Sequence, residues 1–364
     1  VSFIADYDTV SQFFSLRSPY VLITDHSIPT VAPVTSTNGE FYYTRSQSGF
    51  EDVNVFYHIN TFQQYIRNLG FTNIVNYPIE IDTHGLNGSD NSTFLSFNTP
   101  PRISFGEGGV DDAEDADVII HEYTHAIMHS TAPNTNSGTE RQALDEANGD
   151  YFAASWSRSK TEFRWDEVYT WDGHNEFWNG RFTTTSDHYP EDLQNDLYQD
   201  ADIWSSTIMQ IWEDVGRETT DKILLQSAYS YASGMSMTDA AQLFYDADVA
   251  INNGINFWPI CNKFISRGLM ATCPVGIEDN HLVNFQMDLI NTRGFAQGTE
   301  NAIIRFNQVK NGTIYIHTMD GKLLQSFEFN QPEIELPPDH FKAGVYLISV
   351  NTNDTQRSFK LMRY

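Results

Sequence analysis

The spacing of apolar and polar residues divides the first part of the chain into short strands followed by a long helix. Residues 20–24 and 41–44 alternate apolar and polar positions, which is typical of strands with one buried face. Between residues 52 and 69 the apolar positions recur every three or four residues, and Gly70 stands where a helix often ends. The pattern therefore predicts a small sheet and one long amphipathic helix.

The middle of the chain is predicted to be mainly helical. Residues 79–105 read as extended segments, and the next helix is expected at 112–128, where acidic residues near its start suit the positive end of the helix dipole. Sheet therefore precedes helices, which predicts an α+β fold. The further helical periods cover residues 140–157, 201–216, 220–233 and 237–251.

The last part of the chain returns to short alternating segments, such as residues 313–317 and 344–350, with Asp320-Gly321 as a turn signal. We interpret it as a small all-β domain. The expected domains are an N-terminal α+β lobe at residues 1–130, a mainly helical lobe at 131–277 and a β-sandwich at 278–364.

Length and charge exclude some classes of protein. The chain has 364 residues, more than the roughly 250 to 300 at which a single core stops growing, so we expect more than one domain. Its net charge of -27 would repel nucleic acid and anionic bilayers. No run approaches the ~18 apolar residues that a membrane span requires.

Two features favour an exported protein. Cys261 and Cys273 are near enough in sequence to close one small loop, so we predict a disulfide, with two buried free thiols as the alternative. The chain starts at Val1 without a charged and apolar leader, so either no signal existed or, as we expect, a signal was removed together with a pro-segment.

Residues 121–125 carry the chemistry of the predicted helix at 112–128. His121-Glu122-Tyr123-Thr124-His125 is an HExxH motif, and residues four apart lie about 40 degrees apart around a helix, one turn above the other. Both imidazoles can therefore bind one zinc ion. Glu122 neighbours the first ligand but points away from the ligand pair, which suits a general base for the attacking water.

A catalytic zinc also needs a third protein ligand and an open position for water. Thr131 stands six residues after His125, where the metzincin pattern would have a third histidine. His129 lies about 12 Å farther along the helix axis than His121, too far to replace it. The third ligand is therefore expected from another segment.

Glu146 is the best candidate for this ligand. It lies on the same face of a predicted helix as Asp150, so Glu146 would bind zinc while Asp150 accepts the free ring N–H of a ligand histidine and fixes its tautomer. Asp145 and Glu140 remain alternative ligands.

Together, residues 104–109, the HExxH motif and residues 145–150 resemble the thermolysin and fungalysin group of gluzincin peptidases, and the resemblance covers roughly residues 50–270. It implies a two-lobed zincin fold with zinc at the floor of the cleft. It also implies an enzyme that cuts internal peptide bonds of proteins or peptides on the amino side of bulky apolar residues.

The resemblance assigns further residues. Asn91 and Ser92 match an edge strand that binds the substrate backbone, and Asp117 matches a calcium ligand of the thermolysins, so calcium is a second candidate cofactor. The family histidine that stabilises the oxyanion is replaced by Tyr198. Its phenol can also donate a hydrogen bond, and His188 or Tyr189 could fold back into the cleft.

Residues from about 300 onwards resemble the C-terminal sorting domain of the type IX secretion system of Bacteroidetes-like bacteria. The resemblance rests on residues 312–316, 319–324 and 343–348 and on the basic close at 360–364. It implies recognition by secretion machinery and a secreted or cell-surface bacterial protein made as a precursor. Any small β-sandwich would show the same alternation, so this alternative stays open.

Two other functions also stay open. Tyr198 favours an inactive homologue that binds zinc and holds peptides, or acts in adhesion, without cutting. In gluzincin aminopeptidases the ligand glutamate lies nineteen residues after the second histidine, where this chain has Leu144. The sequence therefore favours an endopeptidase over both.

Overall fold

The computed structural model describes residues 5–273, 287–306, 311–318, 322–352 and 356–364. The chain forms two compact units, Val1–Cys273 and Pro274–Tyr364. The expected boundary between residues 277 and 278 lies outside the described residues, and so does the turn signal Asp320-Gly321. The predicted limits of the lobes and of the sandwich therefore stay predictions.

The first unit contains a mixed four-stranded sheet that borders the cleft described below. Its strands β3, β5 and β7 run parallel, and β6 pairs antiparallel with β7 at the edge, in the order β3-β5-β7-β6. Shorter strands form a three-stranded sheet, β1-β2-β4, and a pair, β8-β9. The strands are β1 (Asp6–Asp8), β2 (Phe13–Ser15), β3 (Val21–Ile23), β4 (Thr35–Ser36), β5 (Ile79–Asp82), β6 (Ser92–Leu95), β7 (Arg102–Phe105), β8 (Glu167–Val168) and β9 (Arg181–Phe182).

The strand predicted at residues 41–44 is wrong. Burial does alternate there, because Phe41 packs against the core while Tyr42 is exposed, but the segment pairs with no strand of the described chain. Alternation of burial without a hydrogen-bonded neighbour does not make a strand.

The helices follow the predicted periods closely. The helix predicted from residue 112 starts later, because Asp112–Glu114 forms a short 3-10 turn and Asp115 caps the helix by accepting the backbone N–H of Asp117 at 2.7 Å. The last helix of this unit was not predicted. The helices are α1 (Phe50–Asn68), α2 (Ala116–Thr131), α3 (Thr139–Arg158), α4 (Leu197–Val215), α5 (Arg217–Ala228), α6 (Met237–Asn252) and α7 (Phe257–Ser266).

Helix α2 is buried along most of its length because it packs against α1 and α3. Tyr123 shows how it is held: its ring lies against Phe62 of α1, and its hydroxyl donates to Gln63 Oε1 at 2.9 Å. Phe62 also packs edge-on against Phe152 of α3. Helices α1 and α3 therefore fix the rotation of α2 about its axis. This rotation sets the direction of the HExxH side chains.

The predicted disulfide is confirmed. Cys261 of α7 is bonded to Cys273, with their Cα atoms 5.5 Å apart, and the described residues include no free cysteine. The bond ties α7 to the segment that closes the first unit.

The second unit has its own core, which includes Phe295, Ile304, Ile314 and Ile348. Two antiparallel sheets, β10-β11-β14 and β13-β12-β15-β16, contain the strands predicted at residues 313–317 and 344–350. The elements are β10 (Met287–Ile290), α8 (Thr292–Gln297), β11 (Ala302–Phe306), β12 (Gly312–Thr318), β13 (Leu323–Phe329), β14 (Glu333–Leu336), β15 (Gly344–Thr352) and β16 (Gln356–Arg363). Among the described residues of both units, no helix is long and apolar enough to span a membrane.

Candidate metal centre and active site

Two histidines of α2 and one glutamate of α3 converge on one point. His121 Nε2 lies 3.3 Å from one carboxylate oxygen of Glu146, and His125 Nε2 lies 3.7 Å from the other. One ligand atom from each residue lies within 4.8 Å of the other two. The sequence-predicted ligands are therefore brought together with their ligand atoms facing one another.

The opposite ring nitrogen of His121 is held by α3 and by a loop tyrosine. His121 Nδ1 lies 3.0 Å from Asp150 Oδ1 and 2.6 Å from the hydroxyl of Tyr169, which itself donates to Asp150 at 2.7 Å. Gly149 permits this packing, because a Cβ there would lie 2.4 Å from His121 Nδ1. The ring is thereby held with Nε2 facing the ligand group.

His125 is held in the same way by a different carboxylate. Its Nδ1 lies 2.6 Å from Asp145 Oδ2, and Arg141 donates to the other Asp145 oxygen at 2.9 Å. Asn136 adds a hydrogen bond at 3.2 Å. Burial alone would lower the pKa of His125, but the hydrogen bond to Asp145 and the charges of Glu146 and Asp145 raise it to about 10.

The alternative third ligands do not face the two Nε2 atoms. Asp145 is on the Nδ1 side of His125, and Glu140 accepts the backbone N–H of Met237 at 2.8 Å. His129 lies farther along α2, with its ring beside Phe94 at a centroid distance of 5.9 Å. Glu146 is thus the carboxylate that faces both Nε2 atoms.

Arg181 of β9 is, with Arg141, a cation of this site that the sequence analysis missed. One of its guanidinium nitrogens lies 2.8 and 2.9 Å from the two oxygens of Asp150 and 3.6 Å from Glu146. Burial would raise the pKa of Asp150, but the charge of Arg181 and the hydrogen bond with His121 hold it well below its usual range. The carboxylate that holds His121 is therefore ionised.

Glu122 faces the cleft as a buried carboxylate that can still accept a hydrogen bond. Its side chain is almost fully buried, and its Oε2 has no hydrogen-bond partner within the described residues. Burial raises the pKa of Glu122, while the charges of His125 and His121 lower it in part. An acceptor of this kind beside a ligand pair suits proton transfer from water.

The cleft above these residues has a volume of about 790 Å³. Asn91 and Ser92 line it, and Ser92 opens the edge strand β6. The two residues assigned to substrate binding thus border the same cavity as Glu122 and the ligand group.

Of the three candidates for an oxyanion donor, Tyr198 alone lines the cleft. Tyr198 lines the cleft with 49% of its surface exposed, and its ring lies 4.8 Å from the guanidinium carbon of Arg181. Burial and the charge of Glu146 raise its pKa, so the phenol keeps its proton. The expectation for His188 is corrected: it does not line the cleft, because it pairs with Glu191 at 2.7 Å. Tyr189 does not line the cleft either; its backbone N–H donates to the carbonyl oxygen of Arg267 at 2.9 Å.

Both carboxylate oxygens of Asp117 accept hydrogen bonds from the protein, and its assignment as a calcium ligand stays a prediction. One of its oxygens accepts from Ser157, and the other accepts the backbone N–H of Tyr169 at 3.0 Å. Asp117 therefore caps local structure inside the core. Within the described ranges it belongs to neither acidic trio with closely spaced oxygens, which are Glu51, Asp111 and Glu114, and Asp90, Asp112 and Asp172.

Comparisons with known proteins find sequence relatives and a solved structure that are named metalloproteinases. No family model matches the chain. Its sequence is 24% identical over 299 residues to the probable extracellular metalloproteinase 2 of Arthroderma benhamiae, and 23% identical over 297 residues to the extracellular metalloproteinase of Pyrenophora tritici-repentis. These alignments cover 65% and 64% of this chain but 46% and 45% of the relatives, so the chain spans about half their length.

A solved structure shows the same fold. The precursor of protealysin, a metalloproteinase from Serratia proteamaculans, superposes with a TM-score of 0.54 at 11% sequence identity, over 69% of this chain and 87% of that chain. The similarity confirms the predicted mixed α+β fold.

Proposed function

We propose that the protein is a secreted zinc-dependent endopeptidase that hydrolyses internal peptide bonds of proteins. The observation that carries the proposal is the convergence of His121, His125 and Glu146 within 4.8 Å beside the unpaired, buried Glu122 oxygen. The relatives named extracellular metalloproteinases support both the chemistry and the location.

The donor set fits zinc. Catalytic zinc sites commonly have three protein ligands of nitrogen and oxygen, with each histidine held at its other ring nitrogen by a carboxylate or carbonyl. Here Asp150 and Asp145 hold His121 and His125 in that manner. When bound, zinc would polarise the scissile carbonyl and make the attacking water more acidic.

The residues of the chain would move one proton in this reaction. Glu122 would accept it from the water whose oxygen attacks the carbonyl carbon, and would pass it to the leaving amine as the C–N bond breaks. Tyr198 would donate a hydrogen bond to the oxygen that becomes negative. Arg181 would keep Asp150 ionised and Glu146 in place.

The edge strand β6 supports a peptide substrate. An extended peptide can add to a sheet edge through main-chain hydrogen bonds, and Ser92–Leu95 forms such an edge beside the ligand group. The aminopeptidase alternative is weakened because Leu144 is fully buried in α3. The peptide-holding alternative rests on Tyr198 alone.

Cleavage of unfolded casein tests the proposal. The purified protein is expected to produce internal fragments, to lose this activity with a zinc chelator and to regain it when zinc is added back. A protein that binds zinc but cuts neither casein nor a broad peptide mixture would contradict the endopeptidase and favour the peptide-holding alternative.

Replacing Tyr198 with phenylalanine tests the oxyanion assignment. Since the ring stays and only the donor is lost, we expect kcat to fall on the order of a hundredfold while zinc content and KM change little. Tyr229→Phe is the control, because Tyr229 is similarly exposed but stacks on Phe71 outside the cleft. An unchanged kcat in Tyr198→Phe would show that another group donates.

We also propose that residues 278–364 act as a sorting domain recognised by type IX secretion machinery. The paired strands β12 and β15 within the matched segments support this role. A reporter fused to this segment should be exported by a bacterium that has the machinery and retained by a mutant that lacks it; export from both strains would contradict the proposal.

A further inference from the structure

Three aspartates form a second group of acidic side chains in the same cleft. Asp90, Asp112 and Asp172 all line it, and one carboxylate oxygen from each lies within 4.8 Å of the other two. Asp112 and Asp172 are only 3% and 5% exposed, whereas Asp90 is exposed. The group therefore has buried walls and an opening to solvent.

In each buried aspartate, one carboxylate oxygen accepts a hydrogen bond and the other does not. Ser92 donates to Asp112 Oδ2, and Trp178 donates to Asp172 Oδ2 at 3.0 Å. The Oδ1 atoms of Asp112 and Asp172 are buried and have no hydrogen-bond partner in the part of the chain that the structure describes. Leaving such oxygens without a donor is costly, so the arrangement calls for a donor from outside the chain.

The electrostatics agree with this geometry. Burial, with the charges of Asp172, Asp90 and Glu122, raises the pKa of Asp112 to about 8. Burial, with Asp115 and Asp90, raises the pKa of Asp172 to about 6. Asp112 and the proposed base Glu122 line the same cleft. A positive charge would relieve the repulsion.

We propose that Asp90, Asp112 and Asp172 form a subsite that binds a cationic side chain of the substrate, lysine above all, so that cleavage occurs next to basic residues. This inference rests on the proposed peptidase function. It departs from the bulky apolar preference that the family resemblance implies.

A lysine side chain matches the three aspartates in the number of its hydrogen-bond donors and in the shape of its stem. An ammonium group has three donors, and three carboxylate oxygens converge here. Val118 and Trp178 also line the cleft and offer apolar surface to the methylene stem of the side chain. A calcium ion fits less well, because it takes six to eight oxygen ligands and two of the remaining aspartate oxygens already accept from Ser92 and Trp178.

The test compares peptides that differ only at one residue flanking the scissile bond, on either side of it in turn. Lysine and norleucine have stems of similar length, so their ratio of kcat/KM isolates the charge. We expect lysine to be favoured by at least about tenfold at one of the two positions. The double variant Asp112→Asn, Asp172→Asn should reduce that ratio by at least about tenfold, because it removes the two carboxyl groups that would ionise against the ammonium group, with little change in shape.

Asp111→Asn is the matched control. This substitution removes a carboxylate next to Asp112 in the sequence, but Asp111 does not line the cleft. The ratio of kcat/KM for lysine over norleucine should therefore stay as in the wild type. Equal rates for lysine and norleucine peptides at both positions in an active wild-type enzyme would overturn the subsite while leaving the peptidase intact.

If no peptide is cut, a binding measurement tests the subsite instead. Calorimetry with Glu122→Gln protein should show tighter binding of a lysine peptide than of its norleucine analogue, and the double variant should lose the difference. Absence of that difference would overturn the proposal. Calcium binding that is lost in the double variant, without a lysine preference, would overturn it in favour of a metal site.

Discussion

Replacing Glu122 with glutamine is expected to remove nearly all peptidase activity while the protein keeps its zinc. Glutamine has almost the same shape but cannot take a proton from water, and general-base catalysis typically contributes 10²- to 10⁴-fold. We therefore expect kcat to fall on the order of a thousandfold. Casein cleavage and the zinc content of the purified variant, measured on the same sample, check this result.

His129→Asn is the matched control for Glu122→Gln. His129 lies on the same helix and lines the same cleft, but it is not in the ligand group. Activity should stay within a few-fold of the wild type. If Glu122→Gln kept substantial activity with zinc bound, another residue would have to be the base, and the proposed mechanism would be wrong.

The second large effect is expected from Arg181→Met, and it concerns stability. Asp150 is 1% exposed, and one guanidinium nitrogen of Arg181 donates to both of its oxygens, so the variant leaves a buried carboxylate with much less compensation. Removing one partner of a buried ion pair typically costs 3 to 5 kcal/mol. We expect the free energy of unfolding of the zinc-free protein to fall by about 3 kcal/mol. Urea unfolding with a chelator present measures this value.

Excess zinc should restore part of the stability of Arg181→Met, because the ion would bind the folded state only and would add positive charge beside the same carboxylates. Arg102→Met is the control. Arg102 pairs with Glu80 at 2.7 Å, but both side chains are partly exposed, so its loss should cost no more than about 1 kcal/mol. Equal losses in the two variants would show that Arg181 has no special role.

The parts of the site that the sequence could predict are those encoded within one helix. His121 and His125 are four residues apart on α2, and Glu146 and Asp150 are four apart on α3, so helical geometry alone puts each pair on one face. The two pairs come together because α2 packs against α3. Gly149 allows the close approach, since it has no side chain to collide with the His121 ring.

The residues that the sequence could not predict come from segments with little regular structure. Arg181 and Tyr169 lie between α3 and α4, where only the two-residue strands β8 and β9 form, and no period or motif marks them. His188 was expected in the cleft on its residue type alone, but contacts with its own loop decide its place. Asp112 and Asp172 likewise meet only through tertiary folding.

The helix α7 was missed for a different reason. It is short, and Pro259 near its start resembles a helix breaker in the sequence, although proline is well tolerated in a first turn.

The buried residues around the ligand atoms have a consequence for metal loading that follows from charge balance. With neutral imidazoles, four carboxylates and two guanidinium groups leave a net charge of minus two, which one divalent ion cancels. When no ion is bound, His121 and His125, whose pKa values are both raised, can cancel the same charge with two protons. We therefore expect that the site can fold before it is loaded, and that zinc would enter in exchange for protons. The groups counted are Glu122, Glu146, Asp145, Asp150, Arg141 and Arg181.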